Sequence, residues 1–184
     1  MKKNIIITGG LGYIGTELCK IYSGISWNNK ITVIDNRFIS ERVNQLRNWN
    51  INFVQGDILD KELINKHCRE ADIIHHLAGI TDVPRVKSES NETNDKKIKL
   101  VAEEGTQNIL NAMSNKCKII LPSTHVVYEG ITEVKNDILE NEQTKPILSY
   151  AASKAINEEQ LKKSGKNYII LRLGSVYGYS SDTA

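Results

Sequence analysis

Six short apolar runs recur along the 184-residue chain, and segments with helical spacing separate them. The runs are rich in isoleucine and valine and span residues 4–8, 30–34, 51–54, 71–75, 118–121 and 168–171. Each run is continuous rather than alternating between apolar and polar residues, which is typical of strands covered on both faces. Strands that alternate with helices predict an α/β fold, a doubly wound parallel sheet with helices on both faces.

The clearest helical pattern lies between the fourth and fifth predicted strands. Apolar or small residues recur there at steps of three and four positions, at Ile98, Val101, Ala102, Gly105, Ile109, Ala112 and Met113. This spacing predicts one helix with a buried face. The sequence has no internal repeat, low-complexity tract or interdomain linker, so residues 1–184 are expected to form one domain.

Composition narrows the classes of partner and location. The 24 basic and 22 acidic residues are interspersed and leave a net charge of +2, so no polybasic stripe indicates nucleic acid or an anionic membrane. The apolar run after Lys3 ends at glycines too soon for a signal peptide or a spanning helix. Cys19, Cys68 and Cys117 lack metal-ligand spacing and are interpreted as reduced thiols of a cytoplasmic protein.

A glycine-rich turn follows the first predicted strand. The segment TGGLGYIG places Gly9, Gly12 and Gly15 where the first helix opens. In such a turn the first glycine lets the chain bend sharply, the second lets the backbone approach a pyrophosphate, and the third permits close helix–strand packing. Free N–H groups and the positive dipole at the helix N-terminus favour the same anion. The turn predicts a dinucleotide site of the Rossmann type.

An acidic residue stands at the spacing that this kind of site requires. Asp35 ends the second predicted strand, twenty residues after Gly15, where its carboxylate can bond the ribose hydroxyls of the adenosine half. A carboxylate there repels a 2'-phosphate, so the sequence favours NAD over NADP. Arg37 follows two residues later and can soften that preference, which leaves NADP as an alternative.

Two further strand ends supply candidate ligand contacts. Asp57 and Ile58 follow the third predicted strand, and the segment Leu77-Ala78-Gly79 follows the fourth. Open α/β sheets bind ligands at the carboxyl ends of their strands, so Asp57 can reach an adenine amino group and the Ala-Gly pair leaves room for the cofactor. The adjacent histidines at positions 75 and 76 point to opposite faces of a strand and cannot share a metal. No metal site is predicted.

A tyrosine and a lysine four residues apart open the last predicted helix. In the segment YAASK, Tyr150 and Lys154 lie on one helix face. A nearby ammonium stabilises a phenolate and so lowers the tyrosine pKa toward neutrality, as a general acid or base acting on a sugar hydroxyl requires. Thr124 lies just past the fifth predicted strand on the same sheet edge, so the three groups can converge beside a nicotinamide.

The segment PSTHVVYEG around Thr124 offers a second interpretation. Ser123 and His125 are the residue types of a hydrolase nucleophile pair. They alternate with Thr124, however, and no G-x-S-x-G elbow surrounds the serine, so a Ser/His hydrolase is disfavoured. We expect His125 to have a packing or loop-bonding role.

The sequence resembles the short-chain dehydrogenase/reductase superfamily, specifically its extended branch of NAD-dependent sugar-nucleotide epimerases and dehydratases. The resemblance rests on TGGLGYIG, VIDN, GDI, HHLAG, GTQNIL, STHVVYEG, YAASK and LRLGSVYG, which occur in the family's order and spacing. It implies an enzyme in which Tyr150 is the catalytic acid or base, Lys154 bonds the nicotinamide ribose and Thr124 orients the reacting hydroxyl. The NAD-binding residues that it implies are Gly9, Gly12, Tyr13, Ile14, Gly15, Asp35, Asn36, Asp57, Ile58, Leu77, Ala78, Gly79, Tyr150 and Lys154.

The residues after Thr124 bear on the reaction that the resemblance implies. Similar 4,6-dehydratases carry Asp-Glu there and decarboxylases a Glu two residues on, whereas this chain has His125 and Val126. Valine cannot transfer a proton, so oxidation at a sugar C4 followed by return of the hydride is favoured, which is a 4-epimerisation. The alternatives are a dehydratase or reductase of the same family and a non-catalytic NAD-sensing module.

The resemblance also sets an expectation about size and assembly. Relatives continue past the sixth strand into a smaller substrate domain, so we interpret residues 1–184 as the NAD-binding part of a longer enzyme, poorly active or inactive alone. The full-length enzyme is expected to be a homodimer that binds a nucleotide sugar.

Overall fold

The computed structural model describes residues 2–25, 28–81, 91–135 and 137–178, and these residues form a six-stranded parallel sheet. The strands are β1 (Asn4–Thr8), β2 (Lys30–Asp35), β3 (Asn52–Gln55), β4 (Ile73–His76), β5 (Lys118–Thr124) and β6 (Asn167–Leu173). They lie in the order β3-β2-β1-β4-β5-β6. The chain therefore winds outward in both directions from β1, which confirms the predicted doubly wound sheet.

Helices follow the strands as the sequence pattern indicated. They are α1 (Tyr13–Ile25), α2 (Ser40–Asn48), α3 (Lys61–Cys68), α4 (Glu92–Leu100), α5 (Thr106–Ala112) and α6 (Ser149–Lys163). The Asp60 side chain accepts two backbone N–H groups at the start of α3, and the Asn91 side chain accepts one at the start of α4. Within the described ranges, no helix has the length and apolar character needed to cross a membrane.

The sheet has a hydrophobic core on each face. Ile6 belongs to a cluster that includes Ile64 of α3, Ile109 of α5 and Leu161 of α6. Its neighbours in β1, at positions 5 and 7, belong to a second cluster with α1 and α2. Because successive strand residues point to opposite faces, a strand buried on both sides must be apolar at every position. This explains the continuous apolar runs.

The predicted helix over residues 98–113 is interrupted. Residues Val101–Gly105 form a π-helical turn between α4 and α5, so the prediction of one uniform helix was wrong in the middle. A π turn frees backbone carbonyls from regular pairing. Asn157 of α6 donates to the Ala102 carbonyl and Gln160 donates to the Glu103 carbonyl, both at 2.8 Å. Polar side chains of α6 therefore satisfy the irregular backbone.

A buried ion pair joins α6 to the last two strands. Glu158 accepts from the Ser123 hydroxyl at 2.7 Å and from Arg172 at 2.9 and 2.5 Å, while its side chain is only 1% exposed. Burial alone would raise the pKa of Glu158, but the hydrogen bonds from Arg172 and Ser123 together outweigh burial and hold the pKa below its usual value. Arg172 also donates to the Tyr128 hydroxyl and to the Glu140 carbonyl.

We predict that Glu158→Ala lowers the free energy of unfolding by about 3 kcal/mol, because it leaves the Arg172 guanidinium desolvated without its partner. Glu158→Gln is the matched control and should lose less, since its amide oxygen still accepts a hydrogen bond. Urea denaturation at pH 7 measures both variants. Folding lowers the pKa of Glu158, so the carboxylate's contribution is present above its ordinary value of 4.5 and disappears as the pH falls through the folded value. Equal stability of wild type and Glu158→Ala at pH 7 would contradict the prediction.

Candidate active site

The glycine turn after β1 brings backbone too close for a side chain at Gly9 and at Gly15. Gly9 has a φ of 69°, and a Cβ atom there would lie 2.6 Å from the Ala78 backbone nitrogen. A Cβ atom on Gly15 would lie 2.6 Å from the Gly10 Cα. Gly12 lies between them with more open surroundings, at the point where α1 begins. The N–H groups of Tyr13 and Ile14 in the first turn of α1 have no partner within the helix.

The carboxylate of Asp35 fixes this turn to the end of β2. Its Oδ2 accepts from the Leu11 N–H at 3.0 Å, and its Oδ1 accepts from the Arg37 N–H at 3.0 Å. The carbonyl of Leu11 accepts from the buried Arg42 side chain. The Arg37 guanidinium also pairs with Asp35, with Nε at 3.2 Å from Oδ1. The Asp35 carboxylate, the predicted ribose acceptor, therefore lies beside the glycine turn and is bonded by groups of its own chain.

The ends of β2 and β3 meet beside this carboxylate. Asn36 donates from Nδ2 to Oδ2 of Asp57 at 3.0 Å, and the other oxygen of Asp57 accepts from the Leu59 N–H. Ile58 is 5% exposed and packs on Gly105, where a Cβ atom would lie 2.3 Å from the Ile58 Cδ1. A glycine at position 105 therefore lets the π turn approach the loop after β3.

Thr124, Tyr150 and Lys154 come together at the end of β5. Lys154 is buried, and its Nζ donates to the Pro122 carbonyl at 3.1 Å and lies 5.9 Å from the centre of the Tyr150 ring. Thr124 ends β5, and its Oγ1 accepts from the Val126 N–H at 3.2 Å, which leaves the hydroxyl proton available to a substrate. The spacing of four residues places the phenol and the ammonium on one face of α6, as predicted.

The start of α6 is held by a carboxylate from the loop after β5. One oxygen of Glu129 accepts from the N–H groups of Ile147 and Leu148, at 2.5 and 2.6 Å. The Lys145 N–H also donates to the Val127 carbonyl at 2.8 Å. Because Thr124 and Glu129 flank the same short 3-10 turn, these bonds couple the threonine to the helix that carries Tyr150.

The pKa values at this end of the site differ from the sequence-based expectation. The expected lowering of the Tyr150 pKa is absent, because burial raises it and the Lys154 ammonium is directed to a carbonyl rather than to the phenol oxygen. Burial also lowers the pKa of Lys154 from 10.5 to about 8. Both shifts have the same origin, since a desolvated site disfavours the phenolate and the ammonium alike.

The two adjacent histidines lie on opposite faces of β4, as predicted. His75 is hydrogen-bonded to the Tyr22 hydroxyl at 2.7 Å on the face that α1 covers. His76 lies between the hydroxyls of Thr8 and Thr106, each at 2.9 Å from a ring nitrogen. Burial, and then the charge of Lys154, lower the pKa of His76 to about 3. Both are core residues, and no cluster of metal-ligating side chains occurs among the described residues.

The Ser/His alternative does not match the geometry. The Ser123 hydroxyl donates to Glu158, whereas the exposed His125 ring bonds the Leu173 carbonyl through Nδ1 at 3.2 Å. His125 therefore bonds the last residue of β6, whereas a packing or loop-bonding role was expected. Neither side chain is available to activate the other.

A cavity of about 790 Å³ runs along the carboxyl edge of the sheet from β3 to β6. It is lined by every residue that the sequence analysis assigned to catalysis or cofactor binding, namely Gly9, Gly12, Tyr13, Ile14, Gly15, Asp35, Asn36, Asp57, Ile58, Leu77, Ala78, Gly79, Thr124, Tyr150 and Lys154. The sequence analysis missed other lining residues, among them Lys97, Leu100, Val101, Leu173, Gly174 and Val176. The last three lie in the LRLGSVYG motif, which is a signal that could have identified them.

A crevice at the point where strand order reverses, with a glycine turn at a helix N-terminus, defines a Rossmann-type dinucleotide-binding fold. The sequence model of the NAD dependent epimerase/dehydratase family matches residues 5–184. The chain belongs to this family. A Tyr and a Lys four residues apart, with a hydroxyl residue at the end of β5, are the site features that the resemblance implied.

Individual relatives carry out more than one reaction. The chain is 32% identical to the UDP-N-acetyl-alpha-D-glucosaminuronate decarboxylase of Bacillus cytotoxicus over 97% of its own length and 56% of that protein's. It is 32% identical to the dTDP-D-glucose 4,6-dehydratase of Dictyostelium discoideum, over 96% and 44% of the two chains. The crystal structure of the UDP-glucose 4-epimerase of Brucella ovis in complex with NAD is 27% identical, with a TM-score of 0.73 over 92% and 51%. The chain spans about half the length of the curated relatives that it matches.

We predict that Lys154→Met stabilises the fold at pH 7, because methionine fills similar space without a desolvated charge. The pKa of Lys154 falls from 10.5 to about 8 on folding, so the penalty is present below pH 8 and is relieved as the pH rises toward 10.5. The stability difference between the variant and wild type should therefore shrink over that range in urea denaturation. Lys163→Met, which removes an exposed lysine of the same helix, is the matched control. A difference that stays constant from pH 7 to pH 10 would contradict the prediction.

Proposed function

We propose that this chain is the NAD-binding, catalytic part of a nucleotide-sugar 4-epimerase. The observation that carries the proposal is that Thr124, Tyr150 and Lys154 line one end of the same cavity whose other parts are the glycine turn and Asp35. Three relatives whose names specify three reactions all act on nucleotide sugars, which supports the substrate class.

The residues present fit a dinucleotide. A side chain at Gly9 or Gly15 would clash with neighbouring backbone, so glycine is needed at both positions of the turn. Tyr13 and Ile14 at the start of α1 line the cavity, and their N–H groups would bond a pyrophosphate there. Asp35 would hold the adenosine ribose, and Asn36 with Asp57 and Ile58 would hold the adenine. Lys154 would bond the nicotinamide ribose, and Leu77 with Ala78 and Gly79 would border the nicotinamide end. When bound, NAD supplies reversible hydride transfer at the sugar C4.

Tyr150 would take the proton of the sugar C4 hydroxyl and later return it. Burial raises the pKa of Tyr150 and lowers that of Lys154, so the desolvated site disfavours each ion taken alone. A charged Lys154 would favour the phenolate by electrostatic attraction. Thr124 would donate its free hydroxyl proton to the same sugar oxygen and orient it. Glu129, by holding the start of α6, would keep the phenol and the threonine at a constant distance.

The residues after Thr124 favour epimerisation over elimination or decarboxylation. His125 is exposed and is bonded to the Leu173 carbonyl, and Val126 has no titratable group. Val126 cannot supply the proton transfer that a dehydratase or decarboxylase adds to the oxidation step. The decarboxylase and dehydratase among the relatives keep those reactions as the second candidates. The separate substrate domain, the homodimer and the cytoplasmic location remain predictions from the sequence.

We predict that the chain binds NADH with a dissociation constant below the millimolar range. Gly12→Asp should abolish binding, because it puts a like charge against the pyrophosphate. Gly24→Asp adds the same charge near the other end of α1, at a position where an added Cβ atom meets nothing within 4 Å. This control variant should bind NADH as wild type does. Nicotinamide fluorescence titration measures all three proteins. An affinity that cannot be detected up to millimolar NADH in wild type would refute the cofactor proposal.

We predict that Tyr150→Phe in the whole protein lowers turnover by roughly 10²- to 10⁴-fold, because phenylalanine cannot exchange a proton. Its affinity for NADH should change by less than about twofold, since the ring is kept. The assay follows interconversion of UDP-, dTDP- and GDP-sugars at C4. Wild type that binds NADH but converts none of these sugars would favour the NAD-sensing module. Product that has lost water or carbon dioxide would favour the dehydratase or decarboxylase.

A further inference from the structure

The acceptor positions of Asp35 are filled by its own chain. A carboxylate has about four positions at which it accepts hydrogen bonds. The Leu11 N–H and the Arg37 Nη2 occupy Oδ2 at 3.0 and 3.4 Å, and the Arg37 N–H and Nε occupy Oδ1 at 3.0 and 3.2 Å. The two backbone N–H groups belong to the turn and to the end of β2. The guanidinium is the part that a ribose hydroxyl can displace.

The Arg37 guanidinium lies inside the candidate cofactor site. It lines the cavity, and its Nη2 is 3.8 Å from the place that a Cβ atom on Gly12 would occupy. The Arg37 side chain is 54% exposed, whereas that of Asp35 is 4% exposed. An exposed cation thus covers a buried carboxylate, between the ribose position and the pyrophosphate turn. Displacing it requires a rotation of the arginine side chain but no movement of the sheet.

Two other charged side chains near this position have partners in their own chain. Arg42 donates to the Leu11 carbonyl. The nearby Asp57 carboxylate is turned to Asn36 and to the Leu59 N–H. Arg37 is a partly exposed cation that lines the cavity beside Asp35, where it can pair with a negative charge on the ribose. Asp35 alone would repel a 2'-phosphate, and the paired guanidinium cancels that repulsion and offers the forked donors that match a phosphate.

We propose that Arg37 sets the cofactor preference of this site. Its guanidinium competes with the ribose hydroxyls of NAD for Asp35 and pairs with the 2'-phosphate of NADP, so the chain binds both dinucleotides. The inference rests on the proposed function only in requiring that the cavity bind a dinucleotide. It adds a second cofactor and a specificity-determining residue to that site.

The test is titration of the chain with NADH and with NADPH. Arg37→Ala should weaken NADPH by roughly tenfold or more, the effect of one charge-assisted phosphate contact, while NADH is unchanged or tighter. Arg37→Lys keeps the charge and should recover part of the NADPH affinity. Arg69→Ala removes an exposed arginine whose ion pair is with Glu70 at the end of α3, and should change neither affinity. Asp35→Asn should shift the preference the other way, toward NADPH.

Each other outcome has a distinct meaning. Equal weakening of NADH and NADPH by Arg37→Ala would place the guanidinium on the pyrophosphate, which both cofactors share, and would overturn the inference. Unchanged affinities for both would overturn it as well, as would wild type that binds NADH and fails to bind NADPH. Wild type that binds neither dinucleotide would instead refute the cofactor part of the proposed function. Matching thermal unfolding curves for Arg37→Ala and wild type exclude a folding defect.

Discussion

The glycine turn approaches the end of β4 so closely that a single added carbon would separate them. A Cβ atom on Gly9 would lie 2.6 Å from the Ala78 nitrogen, and the Leu77 N–H donates to the Thr8 carbonyl at 3.1 Å. On the other side, the Gly9 N–H donates to the Ile34 carbonyl at 2.8 Å. These contacts lock the ends of β1, β2 and β4 at the place where strand order reverses. The crevice exists because the chain turns there without side chains.

The second half of the site depends on α6, which is fixed by polar bonds as well as by apolar burial. Lys154 is bonded to β5, Asn157 to the π turn, and Glu158 to both β5 and β6. The bonds reach β5, β6 and the π turn, so together they set the position and rotation of the helix. Catalysis by positioned groups requires this precision, because a phenol must meet a substrate hydroxyl within hydrogen-bond reach. The acidic and amide residues of α6 thereby determine where Tyr150 lies.

The sequence was informative where a function is carried by local pattern. Continuous apolar runs indicated the strands, and the glycine spacing with Asp35 pointed to residues that line one end of the cavity. The π turn was not predicted, because steps of three and four residues suit a regular helix as well, and the side chain that bonds its Ala102 carbonyl, Asn157, lies far along the chain. The sequence analysis also missed the cavity-lining residue Lys97, because helical spacing does not show which helix borders the cavity. The pKa of Tyr150 was misjudged since burial depends on tertiary packing, which spacing on one helix does not report.

The buried Lys154 ammonium would repel a charged His76 ring, and His76 is kept neutral. Thr8 and Thr106 bond both ring nitrogens of His76, and burial with the nearby Lys154 charge lowers the histidine pKa to about 3. A second positive charge there would repel the Lys154 ammonium and lower the pKa of Lys154 further. The neutral ring instead links β1, β4 and α5, and through Thr106 it reaches Asn157 on α6. The histidine thus connects β1 to α6 without adding a second positive charge beside the lysine.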